Sequence, residues 1–153
     1  VGYVDEVNRI LQNENNSPHV VLWDGSNLQF EELGNLLGAP TYGVSALFGH
    51  ILPQELISKF AGGILNLHPS LLPNYGGAGM YGKKVHEAVA AAKESFSGIS
   101  IHLVNEEFDK GKMLFQHAVN LPENANPEQV ESSVRALELT HFAQDLEIYL
   151  SSN

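Results

Sequence analysis

The 153-residue chain contains no cysteine. Disulfides, thiolate zinc sites, iron–sulfur clusters and a cysteine nucleophile are therefore excluded. Basic residues are scarce: 8 Lys and Arg stand against 18 Asp and Glu, a formal charge of −10. Gripping a nucleic-acid backbone takes a cationic face, so nucleic acid is not an expected partner. No apolar run approaches the ~20 residues that span a bilayer as a helix. No basic-then-apolar leader opens the sequence either. No membrane partner is expected, and a cytoplasmic location is. What is present suits a folded domain: 43% hydrophobic and 17% charged residues, in a length that fits one core rather than two. Residues 1–153 are accordingly read as a single domain. The few cations are clustered. Lys83, Lys84, Lys93, Lys110 and Lys112 are five of the eight, which leaves room for a small anionic substrate.

Strand-like and helix-like segments alternate along the chain. Val4, Val7, Ile10 and Leu11 recur at helical spacing over residues 3–12. Val20 to Trp23 reads as a strand ending in Asp24-Gly25, and 28–37 as an amphipathic helix stopped by Gly38. Val44 to Phe48 reads as a buried strand, 54–61 as a short helix, and Ile64 to His68 as a strand stopped by Pro69. Residues 70–82 carry too many glycines and prolines for regular structure. A helix follows over 83–93, then strands over 99–104 and 113–119, then a long helix over about 128–150 opened by Pro127. Such alternation predicts an α/β fold, a mostly parallel sheet with helices on both faces, whose last two strands form an antiparallel or mixed edge. Ligands of these sheets bind at the carboxyl ends of strands. The segments after Phe48, His68 and Val104 are the places to look for chemistry.

Asn66 and His68 are two apart on a strand, so both point to one face, and Pro69 puts them at its end. An amide and an imidazole there can together receive an oxyanion, although ordinary hydrogen bonding is the commoner use of such a pair. Asp109 follows the strand containing His102, in a loop of acids and amides from Asn105 to Gly111. Charged loops are usually just solvated turns; the functional alternative is a carboxylate that orients His68 and raises its basicity. His102 reads as a supporting residue that bonds backbone or Asp109. Met80 and Tyr81 sit in the Gly-rich segment, as a mobile flap or as plain packing. His50, His86, His117 and His141 lack the spacing of a metal site, and no metal is expected.

The run Asn66-Leu67-His68-Pro69-Ser70-Leu71-Leu72-Pro73, then Ser97 to Val104, then Phe108-Asp109-Lys110-Gly111, resembles the folate-dependent formyltransferases. Val134 to Glu138 with His141-Phe142, and Gly79-Met80-Tyr81-Gly82 with Val85 to Val89, are similar to the branch acting on glycinamide ribonucleotide. The resemblance implies a Rossmann-like formyltransferase fold and transfer of a formyl group from 10-formyltetrahydrofolate, the co-substrate, to an amine of purine biosynthesis. It implies that Asn66 and protonated His68 stabilise the oxyanion and that Asp109 helps move the proton. His50, Ile51 and Leu52 would grip the pteridine, and Asn105, Glu106 and Glu107 would close over it. Glu138 would receive the acceptor's amino group. Lys83 and Lys84 would attract the folate's anionic tail, unless they are simply exposed. A small phosphorylated amine and a second copy of the chain are the partners this suggests.

The family-like part covers residues 43–149, and 1–42 is a divergent or shortened N-terminal part. Two readings of it stay open. The family's phosphate loop is absent, or Gly25, Ser26 and Asn27 form it, with Asp24 an unfavourable neighbour for a phosphate. The acceptor is open to the same degree. An amino-sugar nucleotide, water (a 10-formyltetrahydrofolate hydrolase) and a folate-binding remnant without turnover are the alternatives.

Overall fold

The structure, a computed structural model, describes residues 42–46 and 51–152. The expected helix over 3–12, strand over 20–23 and helix over 28–37 lie outside the described residues. So do Gly25, Ser26, Asn27 and His50.

The described chain runs β1 (Gly43–Ala46), α1 (Gln54–Ile57), β2 (Ile64–His68), α2 (Lys83–Ala91), β3 (Phe96–Leu103), β4 (Met113–Asn120) and α3 (Pro127–Ser151). The strands form one sheet in the order β1-β2-β3-β4. β1 and β2 are parallel, while β2–β3 and β3–β4 are antiparallel. The described sheet is thus mixed, and the antiparallel edge expected of the last two strands extends inward to β2.

All five residues of β2 are buried, as a strand covered on both faces requires. Leu65 and Leu67 point to one side. There they join Ile99 and Ile101 of β3, Val85 and Val89 of α2, and Val130, Val134, Phe142 and Leu146 of α3 in the main core. Ile64 points to the other side and packs with Leu52 and Leu56. Alternation puts Asn66 and His68 on the Ile64 side. The register sets Asn66 opposite His102 and His68 opposite Ser100, with Ser100 opposite Gln116 in turn. One face of three strands thus carries a row of polar side chains.

Local chemistry explains the element limits. α3 starts with Pro127 behind a capping box, in which the Asn126 side chain accepts from Gln129 N while the Gln129 side chain accepts from Asn126 N. α1 is shorter than the expected 54–61. Its last turn passes into a hydrogen bond from Gly63 N to Phe60 O, and Gly63 takes φ +87°, so the chain turns into β2 instead of winding on. β3 begins at Phe96, earlier than the periodicity showed, because Gly98 pairs tightly with Ala118. A Cβ at Gly98 would lie 2.1 Å from His117 O, so only glycine lets the strands meet there.

Candidate active site

The polar row is assembled at the carboxyl end of β2. Asn66 Nδ2 donates to His102 Nε2 at 3.1 Å. His102 can accept there because its Nδ1–H donates to Leu103 O at 2.9 Å, which fixes the tautomer. An amide nitrogen carries two hydrogens, so Asn66 keeps one for something else.

His68 is buried and also has one nitrogen committed. Its Nε2–H donates to Tyr75 O at 2.9 Å. Its Nδ1 lies 3.5 Å from Asp109 Oδ1, and the same oxygen lies 3.5 Å from His102 Nε2. Asp109 Oδ2 accepts from Gly77 N at 2.7 Å. One carboxylate therefore stands between two imidazoles, held from behind by a backbone amide. The loop carrying it folds back tightly over the end of β3: a Cβ on Gly111 would lie 1.6 Å from Leu103 O.

Burial sets the protonation of these groups. It lowers the pKa of His68, against the opposing pull of the Asp109 charge and the Tyr75 carbonyl. For Asp109, burial pushes upward, but the His102 imidazole beside it, the hydrogen bond from Gly77 N and the nearby His68 ring together hold it below the usual carboxylate value. The resting pair is thus a neutral imidazole beside an ionised acid.

Asn66, His68 and Asp109 share a cleft of about 330 Å³ that is also lined by Gly77, Gly79, Met80, Tyr81 and Phe108. A second cleft, about 370 Å³, lies beyond Asn66 and Asp109, lined by Ser45, Ile51, Leu52, His102, Val104, Asn105, Glu107 and Phe108. Ile51, Leu52, Asn105 and Glu107 gather around the second cleft, whereas Glu106 lines neither. Glu107 N donates to Asn105 Oδ1 at 3.0 Å, which shapes that loop. Met80 and Tyr81 border the first cleft, and Lys84 stands over the Tyr81 ring at 4.8 Å.

Glu138 lines neither cleft. It is buried on α3, and burial raises its pKa, with Arg135 pulling it down and Glu131 pushing it up. Three further groups support the site without having had a role assigned from the sequence. The Tyr75 carbonyl acts through backbone and leaves no residue-type signal. His86 of α2, buried with Nδ1 unpartnered among the described residues, sits close enough to His68 to lower its own pKa further. Ser100 Oγ donates to Ser70 O and accepts from Leu72 N and from Gln116 Nε2, so it fastens the strap after β2.

These features define an α/β protein with an amide, an imidazole and a carboxylate converging at a strand end, equipped to hold an oxyanion and to move a proton. The formyl transferase family model matches residues 23–146, and the chain belongs to that family. Over 84 residues it is 48% identical to the chloroplastic phosphoribosylglycinamide formyltransferase of Arabidopsis thaliana, a match covering 55% of this chain and 29% of that protein. Among solved structures it is similar to phosphoribosylglycinamide formyltransferase from Anaplasma phagocytophilum, with TM-score 0.70 and 26% identity over 81% of this chain and 60% of that one. A formyltetrahydrofolate deformylase from Pseudomonas syringae gives TM-score 0.69 and 26% identity over 80% of this chain and 40% of the other. The chain thus spans less than two thirds of the length of each.

Proposed function

We propose that the chain transfers a formyl group from 10-formyltetrahydrofolate to the amine of glycinamide ribonucleotide, in the cytoplasm, as a step of purine biosynthesis. The observation that carries this reading is the shared cleft of Asn66, His68 and Asp109. The second cleft fits the co-substrate in character: Ile51, Leu52 and Val104 offer an apolar slot, and Asn105 and Glu107 offer polar groups at its rim. When bound, the folate supplies an activated formyl group.

Each side chain then has a task that its bonding permits. Asn66 directs its second amide N–H at the oxygen that turns negative as the acceptor nitrogen bonds the formyl carbon. His68, neutral at rest, takes the proton of that nitrogen at Nδ1, directly or through a water, because Nε2 is committed to Tyr75. As an imidazolium it supports the oxyanion and then returns the proton to the departing folate nitrogen as the old carbon–nitrogen bond breaks. Asp109 stabilises the transient charge on His68. Glu138, a carboxylate buried on α3, is the proposed contact for the acceptor's ammonium group.

The family relationship supports both transfer to an amine and transfer to water, so the acceptor is the point to test. The chain is incubated with 10-formyltetrahydrofolate and either glycinamide ribonucleotide, an amino-sugar nucleotide or no acceptor, and release of tetrahydrofolate is followed. Release that depends on glycinamide ribonucleotide is expected. Equal release without any amine, with free formate, identifies a hydrolase instead. Folate binding without release in any arm identifies a remnant.

A further inference from the structure

Tyr75 works at both of its ends. Its carbonyl oxygen accepts the His68 Nε2–H at 2.9 Å. Its phenol hydroxyl donates to Glu94 Oε1 at 2.6 Å. Between them the backbone takes φ +55°, a left-handed conformation that a side-chain-bearing residue keeps only where neighbours impose it. Glu94 is one of those neighbours. It sits in the turn after α2, which is tied down by bonds from Glu94 N to Val89 O and from Lys93 N to Ala90 O. The carbonyl's direction therefore depends on a side chain nineteen residues further along the chain.

That direction has a chemical consequence. A carbonyl only accepts, so the nitrogen facing it must carry hydrogen. Nδ1, facing Asp109, is then the nitrogen left to gain and lose a proton. We propose that Tyr75, anchored by Glu94, is a positioning residue that locks His68 in the Nε2–H tautomer and so assigns the working proton to Nδ1. The kinetic part of this rests on the proposed formyl transfer; the tautomer does not. The groups facing His68 are Asp109 from the loop after β3, His102 from β3, His86 from α2 and the Tyr75 carbonyl from the strap. The Asp109 charge and the Tyr75 carbonyl favour the protonated ring, and His102 opposes it.

The test is nitrogen-15 NMR of the imidazoles in the full chain, joined to kcat and KM measured against pH. Wild-type His68, when neutral, is expected to carry its hydrogen on Nε2. Tyr75→Phe keeps the ring and loses Glu94. His68 then becomes a tautomer mixture and kcat falls about tenfold, part of the ~10²–10⁴ that acid–base groups supply. KM for the folate stays near wild type, and the acid limb of the profile moves to lower pH. Glu94→Gln in the otherwise wild-type chain, whose amide oxygen still accepts the phenol, is expected to retain the tautomer and the rate. Wild-type His68 protonated on Nδ1 overturns the proposal, as does Tyr75→Phe with tautomer and profile unchanged. A fixed Nε2–H tautomer, lost in Tyr75→Phe, in a protein that transfers no formyl group upholds the positioning and overturns only the proposed function.

Discussion

Asp109 faces two imidazoles with a single oxygen, 3.5 Å from each. Its charge raises the His68 pKa against burial. Asp109→Asn keeps the shape and removes the charge, so the His68 pKa should drop further. In the proposed mechanism neutral His68 is the active form at rest, and protonating it produces the acid limb of the rate profile. That limb is therefore expected to shift to lower pH in Asp109→Asn, with a lower kcat at the plateau because the imidazolium loses its counter-charge. kcat/KM measured from pH 5 to 8 checks this. The residue scale also shows how the sequence could be read. A spacing of two on a strand was enough to put Asn66 and His68 on one face. Asp109 stood out from other loop acids only through a resemblance. The His102–Asn66 bond and the Tyr75 carbonyl were not legible, since one depends on the antiparallel register of β2 and β3 and the other on a left-handed backbone at a tyrosine.

At the scale of elements, the strap between β2 and α2 is fastened from beneath by two β-strand side chains. Ser100 Oγ holds Ser70 O at 2.6 Å and Leu72 N at 2.9 Å, and Gln116 Nε2 reaches Leu72 O at 2.9 Å. Ser100→Ala leaves a buried donor and a buried acceptor short of a partner. A loss of about 2 kcal/mol is expected, read from urea unfolding, and an unchanged midpoint would show that the strap is held elsewhere. At α3 the capping box is exposed and simpler: Asn126→Ala should cost about 1 kcal/mol in the same assay. The long helix was readable because its cap, its proline and its apolar stripe agree. α1 and the start of β3 were less so. Glycines decide both, Gly63 by ending a turn and Gly98 by letting two strands meet, and a glycine does not announce which of these it does.

The molecule as a whole carries an acid sensitivity built into two buried histidines. Burial lowers the pKa of both His68 and His86 from the ordinary 6.5. Their stabilising contribution is intact above that value. As pH falls through 6.5 toward the depressed folded values, the unfolded chain binds protons that the folded chain resists, and stability is lost. Asp109, with its lowered pKa, adds to the loss only below its ordinary 3.8, while Glu138, raised by burial, is relieved as pH falls toward 4.5 and opposes it. Tm is therefore expected to fall between pH 7 and 5.5. His86→Gln should flatten that fall without adding a new charge, and a thermal scan across the interval checks it; an equally steep fall in the variant would assign the sensitivity elsewhere.

All of this converges on the oxyanion that the proposed transfer would form beside Asn66 and His68. The most direct measurement is the single-turnover rate of formyl transfer to glycinamide ribonucleotide by Asn66→Ala and His68→Ala at saturating folate, with folate affinity measured in parallel. Loss of about 10²–10³ in rate with affinity held within a few fold is the expected result. Transfer at the wild-type rate in either variant would contradict it.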